Sequence, residues 1–304
     1  MKKTTLTENK RPCDDAIVRY KDMGNIKEIM SSEHRNTICT IQKISSEEYV
    51  YKPTGEIKQF QHIESRADDK NSVRKSLGTL RDLINTNVTD VSHCRWVTLT
   101  YAENMTDAKR LYKDCDKFIK RMRYRYNFFE YIVAMEPQGR GAWHAHMIMI
   151  FKTKAPFIPN NELAKIWGHG FVTIKKLENV DNVGAYLTAY LGDMELEEAK
   201  NAGVDFTHKD IKFLDVEEEG KKVTKAFIKG ARLNMYLPKF NIYRCSRGIK
   251  KPDVMYITER EARKKVGDAT PTFEKTVEIT DETSDFHNVL NYRQFNIARG
   301  KKQI

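Results

Sequence analysis

Glu136-Pro-Gln-Gly-Arg-Gly-Ala-Trp-His144-Ala-His146-Met-Ile-Met-Ile-Phe151 is the stretch on which the reading of this chain turns. Its apolar end, residues 147–151, predicts a strand. In a strand, residues i and i+2 point to the same face, so His144 and His146 stand side by side, as a divalent metal needs. A second apolar run, residues 131–135, leads into Glu136. If the chain reverses about Arg140, Glu136 falls nearly opposite His144, because both are four residues from that centre. A carboxylate and two imidazoles then converge. A His-X-His pair alone reads as readily as two unrelated histidines, and it is the spacing of Glu136 that favours a metal.

Further along, Val183-Gly-Ala-Tyr186-Leu-Thr-Ala-Tyr190-Leu191 sets two tyrosines at i and i+4, on one face of a helix. By itself that pattern describes an amphipathic helix packing two rings into a core. A metal pair, an upstream Glu and paired tyrosines seldom coincide by chance.

Together these segments resemble the HUH endonucleases, in particular the rolling-circle replication initiators of small plasmids, phages and mobile elements. Trp96-Val-Thr-Leu-Thr-Tyr101 is similar to the family's first motif, a strand ending in Thr-Leu-Thr. The segment from Glu136 to His146 is similar to its metal motif, with Ala145 where a hydrophobic residue is usual. Trp167-Gly-His-Gly170-Phe-Val172 resembles the turn and strand before the nucleophile helix, and Tyr186-Leu-Thr-Ala-Tyr190 resembles the two-tyrosine motif. The resemblance covers roughly residues 94–192. One position departs from it: many relatives carry a lysine near the second tyrosine, where this chain has Ala189.

The resemblance implies an α+β fold of ferredoxin or RRM kind, an antiparallel sheet with flanking helices in the order βαββαβ. It also implies site-specific nicking of single-stranded DNA. Tyr186, with Tyr190 as its partner, would attack phosphorus, leaving a 5′-phosphotyrosine and a free 3′-hydroxyl. Glu136, His144 and His146 would hold Mn²⁺ or Mg²⁺ against the phosphate. Imidazole ligands suit Mn²⁺ better, since Mg²⁺ prefers an all-oxygen shell. With the first tyrosine tied up covalently, the second could attack the regenerated origin and close a circle.

Periodicity gives the same order of elements independently. Residues 95–101 are β-branched and aromatic enough for a strand. Thr106 is placed to cap a helix through residue 126, in which Leu111, Cys115, Phe118, Ile119 and Met122 recur at helical spacing and eight Lys and Arg take the other faces. Residues 129–135 and 144–151 form the strand pair. A helix at 160–167, a strand at 170–177 and the tyrosine helix at 180–191 follow. This order suits an antiparallel sheet with helices on one face. Ahead of it, residues 38–44, 48–52 and 56–60 read as strands and residues 66–85 as an amphipathic helix with Arg74, Lys75 and Arg81 on a basic face toward DNA or solvent.

The 304 residues, 40% of them hydrophobic, suffice for one sizeable core and a second small domain. With 53 Lys and Arg against 42 Asp and Glu, the net charge of +11 favours a polyanionic partner. Residues 221–251 hold ten basic residues and no acidic one, interleaved with Phe227, Tyr236, Phe240 and Tyr243. Cations can hold phosphates while rings stack on unpaired bases, which makes Lys225, Arg232, Tyr236, Arg244, Arg247 and Lys250 candidate DNA contacts. The alternative is a solvated basic face with its rings turned inward. Just before it, residues 193–219 carry ten acids against three lysines and read as an exposed insertion or linker. The expected organisation is an N-terminal region (1–65) with strands packing on the core, a catalytic domain (66–192), an acidic insertion or linker (193–220) and a basic DNA-binding region (221–304).

Five scattered cysteines, never in a Cys-X-X-Cys arrangement, support neither a zinc ribbon nor a disulfide framework. No apolar run approaches ~18 residues and the start lacks an apolar leader, so a cytoplasmic protein without a membrane partner is expected. A metallo-β-lactamase-like site would carry Asp where Ile148 stands, and a cupin places its Glu downstream of the pair rather than upstream. His169 reads as a turn residue. No Gly-X4-Gly-Lys-Ser/Thr motif is present, which leaves strand separation to a host helicase and copying to a host DNA polymerase. The expected partner is single-stranded or origin DNA. A relaxase, a tyrosine transposase and a non-catalytic RRM-like single-strand-binding module stand as alternatives.

Overall fold

The computed structural model of the protein describes residues 2–35, 38–61, 69–177, 182–205, 207, 210–218, 221–237, 240–281 and 285–299. The chain divides into two compact units, one formed by Ser65–Pro252 and the other by Met1–Glu64 with Asp253–Ile304. In chain order the elements begin with β1 (Lys2–Thr7), β2 (Ile17–Met23), β3 (Ile26–Ser32), β4 (Ile41–Lys43), β5 (Glu48–Tyr51) and β6 (Glu56–Gln59). Helix α1 (Lys70–Asn87), β7 (Cys94–Thr100), α2 (Ala108–Tyr126), β8 (Phe129–Pro137) and β9 (Trp143–Phe151) follow. Next come α3 (Asn160–Trp167), β10 (Val172–Lys175), α4 (Val183–Gly192), β11 (Met194–Glu195), α5 (Leu196–Asn201), β12 (Ile211–Glu218) and β13 (Lys221–Ile228). The rest are β14 (Tyr243–Cys245), β15 (Asp253–Thr258), α6 (Glu259–Val266), β16 (Pro271–Asp281) and β17 (His287–Asn296).

The unit Ser65–Pro252 is built on an antiparallel sheet in the order β10-β7-β9-β8-β14. Its first four strands reproduce the split βαβ arrangement that the element order predicts, with β14 added at one edge. Alternation along the strands assigns the two faces. Val97, Leu99, Val133, Met135, Ala145, Met147 and Met149 join Leu111, Phe118 and Met122 of α2 and Leu163 and Trp167 of α3 in one core. Ile132, Ala134 and Ile148 join Leu80, Leu83 and Ile84 of α1 and Val183, Leu187 and Leu191 of α4 in the other. The two crossover helices therefore share a face as expected, and α1 and α4 cover the opposite one. That second cover corrects the one-faced sheet: strands buried on both sides need apolar residues at odd and even positions alike, and β8 and β9 have them. The cap of α2 is Asp107 rather than Thr106, its carboxylate accepting from the backbone N–H groups of Lys109 and Arg110.

The acidic segment is not a linker. It supplies β11, α5 and β12, and β12 pairs with β13 in the register Glu217↔Lys222 and Asp215↔Thr224. The run of cations at the start of 221–251 thus lies along a strand of acids, and Lys225 and Lys229 pair with Glu195 at 3.2 Å and Asp210 at 3.3 Å. The region 221–304 also divides: its part up to Pro252 belongs with the β7–β10 sheet, and the remainder with the N-terminal strands. There an antiparallel sheet runs β1-β16-β17-β3-β2-β15, with α6 packed on Val18, Tyr20, Ile29 and Phe295. A capping box at Thr258 and Glu261 starts α6, and Glu259 forms a buried two-bonded pair with Arg293, 2.6 Å at each contact. The N-terminal strands therefore find their partners at the far end of the chain, a pairing that no local pattern announces.

Candidate metal centre

Glu136 ends β8 and His144 begins β9, and the two stand directly opposite in the ladder; His146 faces Ala134 on one side and Thr98 on the other. All three side chains lie on the sheet face covered by α1 and α4. The reversal between the strands closes on Gln138 and Gly141, whose N–H donates to the Gln138 carbonyl at 2.8 Å. As the spacing predicts, one carboxylate and two imidazoles converge, their ligand atoms all within 4.8 Å of one another.

Each ligand is oriented by neighbours. His146 Nε2 contacts Glu136 Oε2 in a short hydrogen bond, and Nδ1 lies 3.2 Å from Thr98 Oγ1. Its ring stacks on Trp96 at 5.4 Å and 10°. Burial alone would raise the Glu136 pKa, but His146 and Arg232 outweigh that and hold it down at about 2. His144 is pushed down to about 4, by burial first and then by repulsion from His146. Near neutrality the carboxylate is therefore ionised and the His144 imidazole neutral, the states in which both ligate metals. His144 Nε2 is buried and has no hydrogen-bond partner among the described residues. An unsatisfied buried nitrogen costs about 1–3 kcal/mol, a cost that a bound divalent ion would remove. The residues present fit such an ion.

Over this face, α4 starts at Asn182, whose side chain accepts from the Ala185 N–H at 2.8 Å. Its N-terminal turn presses on α1: a Cβ at Gly184 would stand 2.4 Å from the Arg81 carbonyl oxygen, so only glycine admits this approach. Positions 186 and 190 both fall in α4. The side chains of Tyr186 and Tyr190 lie outside the described residues.

Residues 94–195 match the model of a family described as replication-associated protein ORF2. This segment is a replication-associated domain. The match begins with β7 and ends in β11, so it spans the sheet strands that carry the ligands and the helix that carries both tyrosines. Searches of curated proteins and of solved structures returned no match. Among the described residues of the chain, no helix is long and apolar enough to cross a membrane.

Two of the DNA contacts expected in this domain are corrected. Arg232 is 4% exposed and lies against Glu136, while Tyr236 is 2% exposed and its hydroxyl bridges the Met135 and Leu191 carbonyls at 3.0 Å each. Both hold the interior together, and Phe227 and Phe240 are buried as well. Helical and strand spacing cannot tell a ring on DNA from a ring on a core. Arg244 is half-buried over the Tyr112 ring, 3.4 Å from Asp116. Arg247 and Lys250 are exposed. His169 is more than a turn residue, its Nε2 lying 3.6 Å from buried Asp114, which also accepts from the Tyr101 hydroxyl at 3.2 Å. Trp96 and Thr98 escaped notice as supports of His146, although alternation along β7 puts them on its face. Glu198 gave no sequence signal at all.

Proposed function

We propose that the chain is a replication initiator that cuts one strand of origin DNA by metal-assisted tyrosine transesterification and rejoins the ends. The observation that carries this reading is the convergence of Glu136, His144 and His146 beneath α4, within a segment matching a replication-associated family. Tyr186 would attack phosphorus; the phenolic O–P bond forms as the bond to the 3′-oxygen breaks, and that oxygen leaves as a hydroxyl after taking up a proton. Tyr190 would serve as the second nucleophile for resolution. A divalent ion, Mn²⁺ or Mg²⁺, held by the three ligands would withdraw charge from the non-bridging oxygens and fix the orientation of the phosphate. The chain's own contribution is to keep His144 neutral, Glu136 ionised and His146 locked between Trp96 and Thr98, so the ligand set is ready without rearranging. Arg247 and Lys250 offer exposed cations for the DNA backbone. Separating the strands and copying them would fall to a host helicase and polymerase.

The sheet order also favours a second reading, a non-catalytic single-strand binder of RRM type. Covalent chemistry separates the two. Single-stranded origin fragments incubated with the protein and Mn²⁺ should yield a protein–DNA adduct on denaturing gels, lost in EDTA and in His144→Ala. Tyr186→Phe should lose first-strand adduct, and Tyr190→Phe should cut once but fail to resolve a second origin. Peptide mapping that finds nucleotide on neither tyrosine would refute the mechanism, and on Tyr190 alone would reverse the two roles.

A further inference from the structure

Arg232 occupies a position that the metal reading does not require. Its Nη1 donates to the Pro137 carbonyl at 2.7 Å and to Glu198 Oε1 at 3.0 Å, and its Nη2 donates to Glu198 Oε2 at 2.7 Å. Nη2 also lies 3.0 Å from Glu136 Oε1, while Nε donates to the carbonyl of Asp193 at the end of α4. One buried guanidinium thus ties a ligand strand, the end of the tyrosine helix and α5 together. Although burial lowers its pKa, Glu136 and Glu198 raise it further, so the group stays charged.

We propose that Glu198, acting through Arg232, positions Glu136 as a one-oxygen metal ligand and keeps its charge available to the ion. The assignment rests on the metal reading of the preceding section. Oε1 of Glu136 is committed to Arg232, which leaves Oε2, the oxygen facing His146, for an ion. A guanidinium alone at that distance would neutralise Glu136 and repel a dication. Because Glu198 shares the same guanidinium through a two-bonded fork, two carboxylates and one cation leave a net negative charge at the site. Glu198 is itself held by the turn between the ligand strands: its Oε1 accepts from the Gly139 N–H at 2.8 Å. A Cβ on Gly139 would come within 3.0 Å of Glu198 Cγ and 3.1 Å of Ala202 Cβ, so the glycine lets this turn seat on α5.

The test is Mn²⁺ titration of the full chain, following the free-ion electron paramagnetic resonance signal, with tryptophan fluorescence melts to confirm folding. Wild type should bind and His144→Ala should not; if wild type binds no better than His144→Ala, the metal reading itself fails. Given that binding, Glu198→Gln should weaken affinity about 10- to 100-fold although it touches no ligand atom, the range usual for residues that support metal ligands. Adding Arg232→Met to Glu198→Gln should recover part of the loss, because the uncompensated cation is gone. A folded Glu198→Gln with wild-type affinity, or a double variant weaker than the single one, would overturn the proposal. Should Glu198→Gln not fold, Gly139→Ala displaces Glu198 without changing charge, and undiminished affinity in that variant overturns it equally.

Discussion

Replacing Tyr236 with Phe isolates one oxygen. The hydroxyl sits 3.0 Å from both the Met135 carbonyl on β8 and the Leu191 carbonyl on α4, joining the ligand strand to the tyrosine helix. A phenol has one proton, so the two carbonyls share it, and removal deprives two buried acceptors of one hydrogen bond. The loss should be about 1–2 kcal/mol. With a urea slope of about 1–3 kcal/mol per molar, the unfolding midpoint should fall by roughly 0.5–1 M at unchanged slope. Trp96, Trp143 and Trp167, the chain's three tryptophans, all lie within Ser65–Pro252, so their fluorescence reads this unit alone. Because Phe keeps the ring against Trp143 and Phe240, single-stranded DNA affinity should not change. An unmoved midpoint together with weakened DNA binding would refute the brace and return Tyr236 to the DNA surface.

Three further outcomes follow from the same structure. Glu136 and His144 have folded pKa values of about 2 and about 4, below their ordinary 4.5 and 6.5, so each holds its proton more weakly folded than unfolded. Stability of the metal-free protein should therefore be full above pH 6.5, fall toward pH 4 through His144 and fall again from 4.5 to 2 through Glu136; His144→Gln should erase the upper limb of a urea-midpoint profile, and an unaltered limb would reject that source. Gly184→Ala, forced against the Arg81 carbonyl, should destabilise this unit by about 1–3 kcal/mol in the same fluorescence assay, and a neutral effect would show that α4 can lift from α1 without loss. Arg247→Gln with Lys250→Gln should lower the salt slope of DNA binding by about 2, one for each lost phosphate contact, whereas the same slope as wild type would leave both on a solvated face.

Much of the catalytic half was legible because it is local. The strand pair, the helices on either side of it and the convergence of Glu136 with His144 all follow from a period of two, a period of about 3.6 and a symmetrical reversal about Arg140. The misreadings came from residues whose partners are distant in sequence. Residues 221–251 suggested a DNA surface because no acid is near them in the chain, yet β12 lies beside β13 and pairs acids with that run. Arg232 and Tyr236 have the composition of nucleic-acid contacts, and burial assigns them to the interior instead.

By itself, then, the sequence determined the βαββαβ order, the ligand triad and the helical spacing of Tyr186 and Tyr190, because each depends on the pitch of a single element or the length of a single turn. Only the tertiary structure decided that α1 and α4 close the ligand face, that Glu198 and Arg232 stand behind Glu136, and that β1 to β3 pair with β15 to β17 from the other end of the chain. Those contacts join segments tens to hundreds of residues apart, and their free energy comes from burial and charge compensation that exist only once the segments have met.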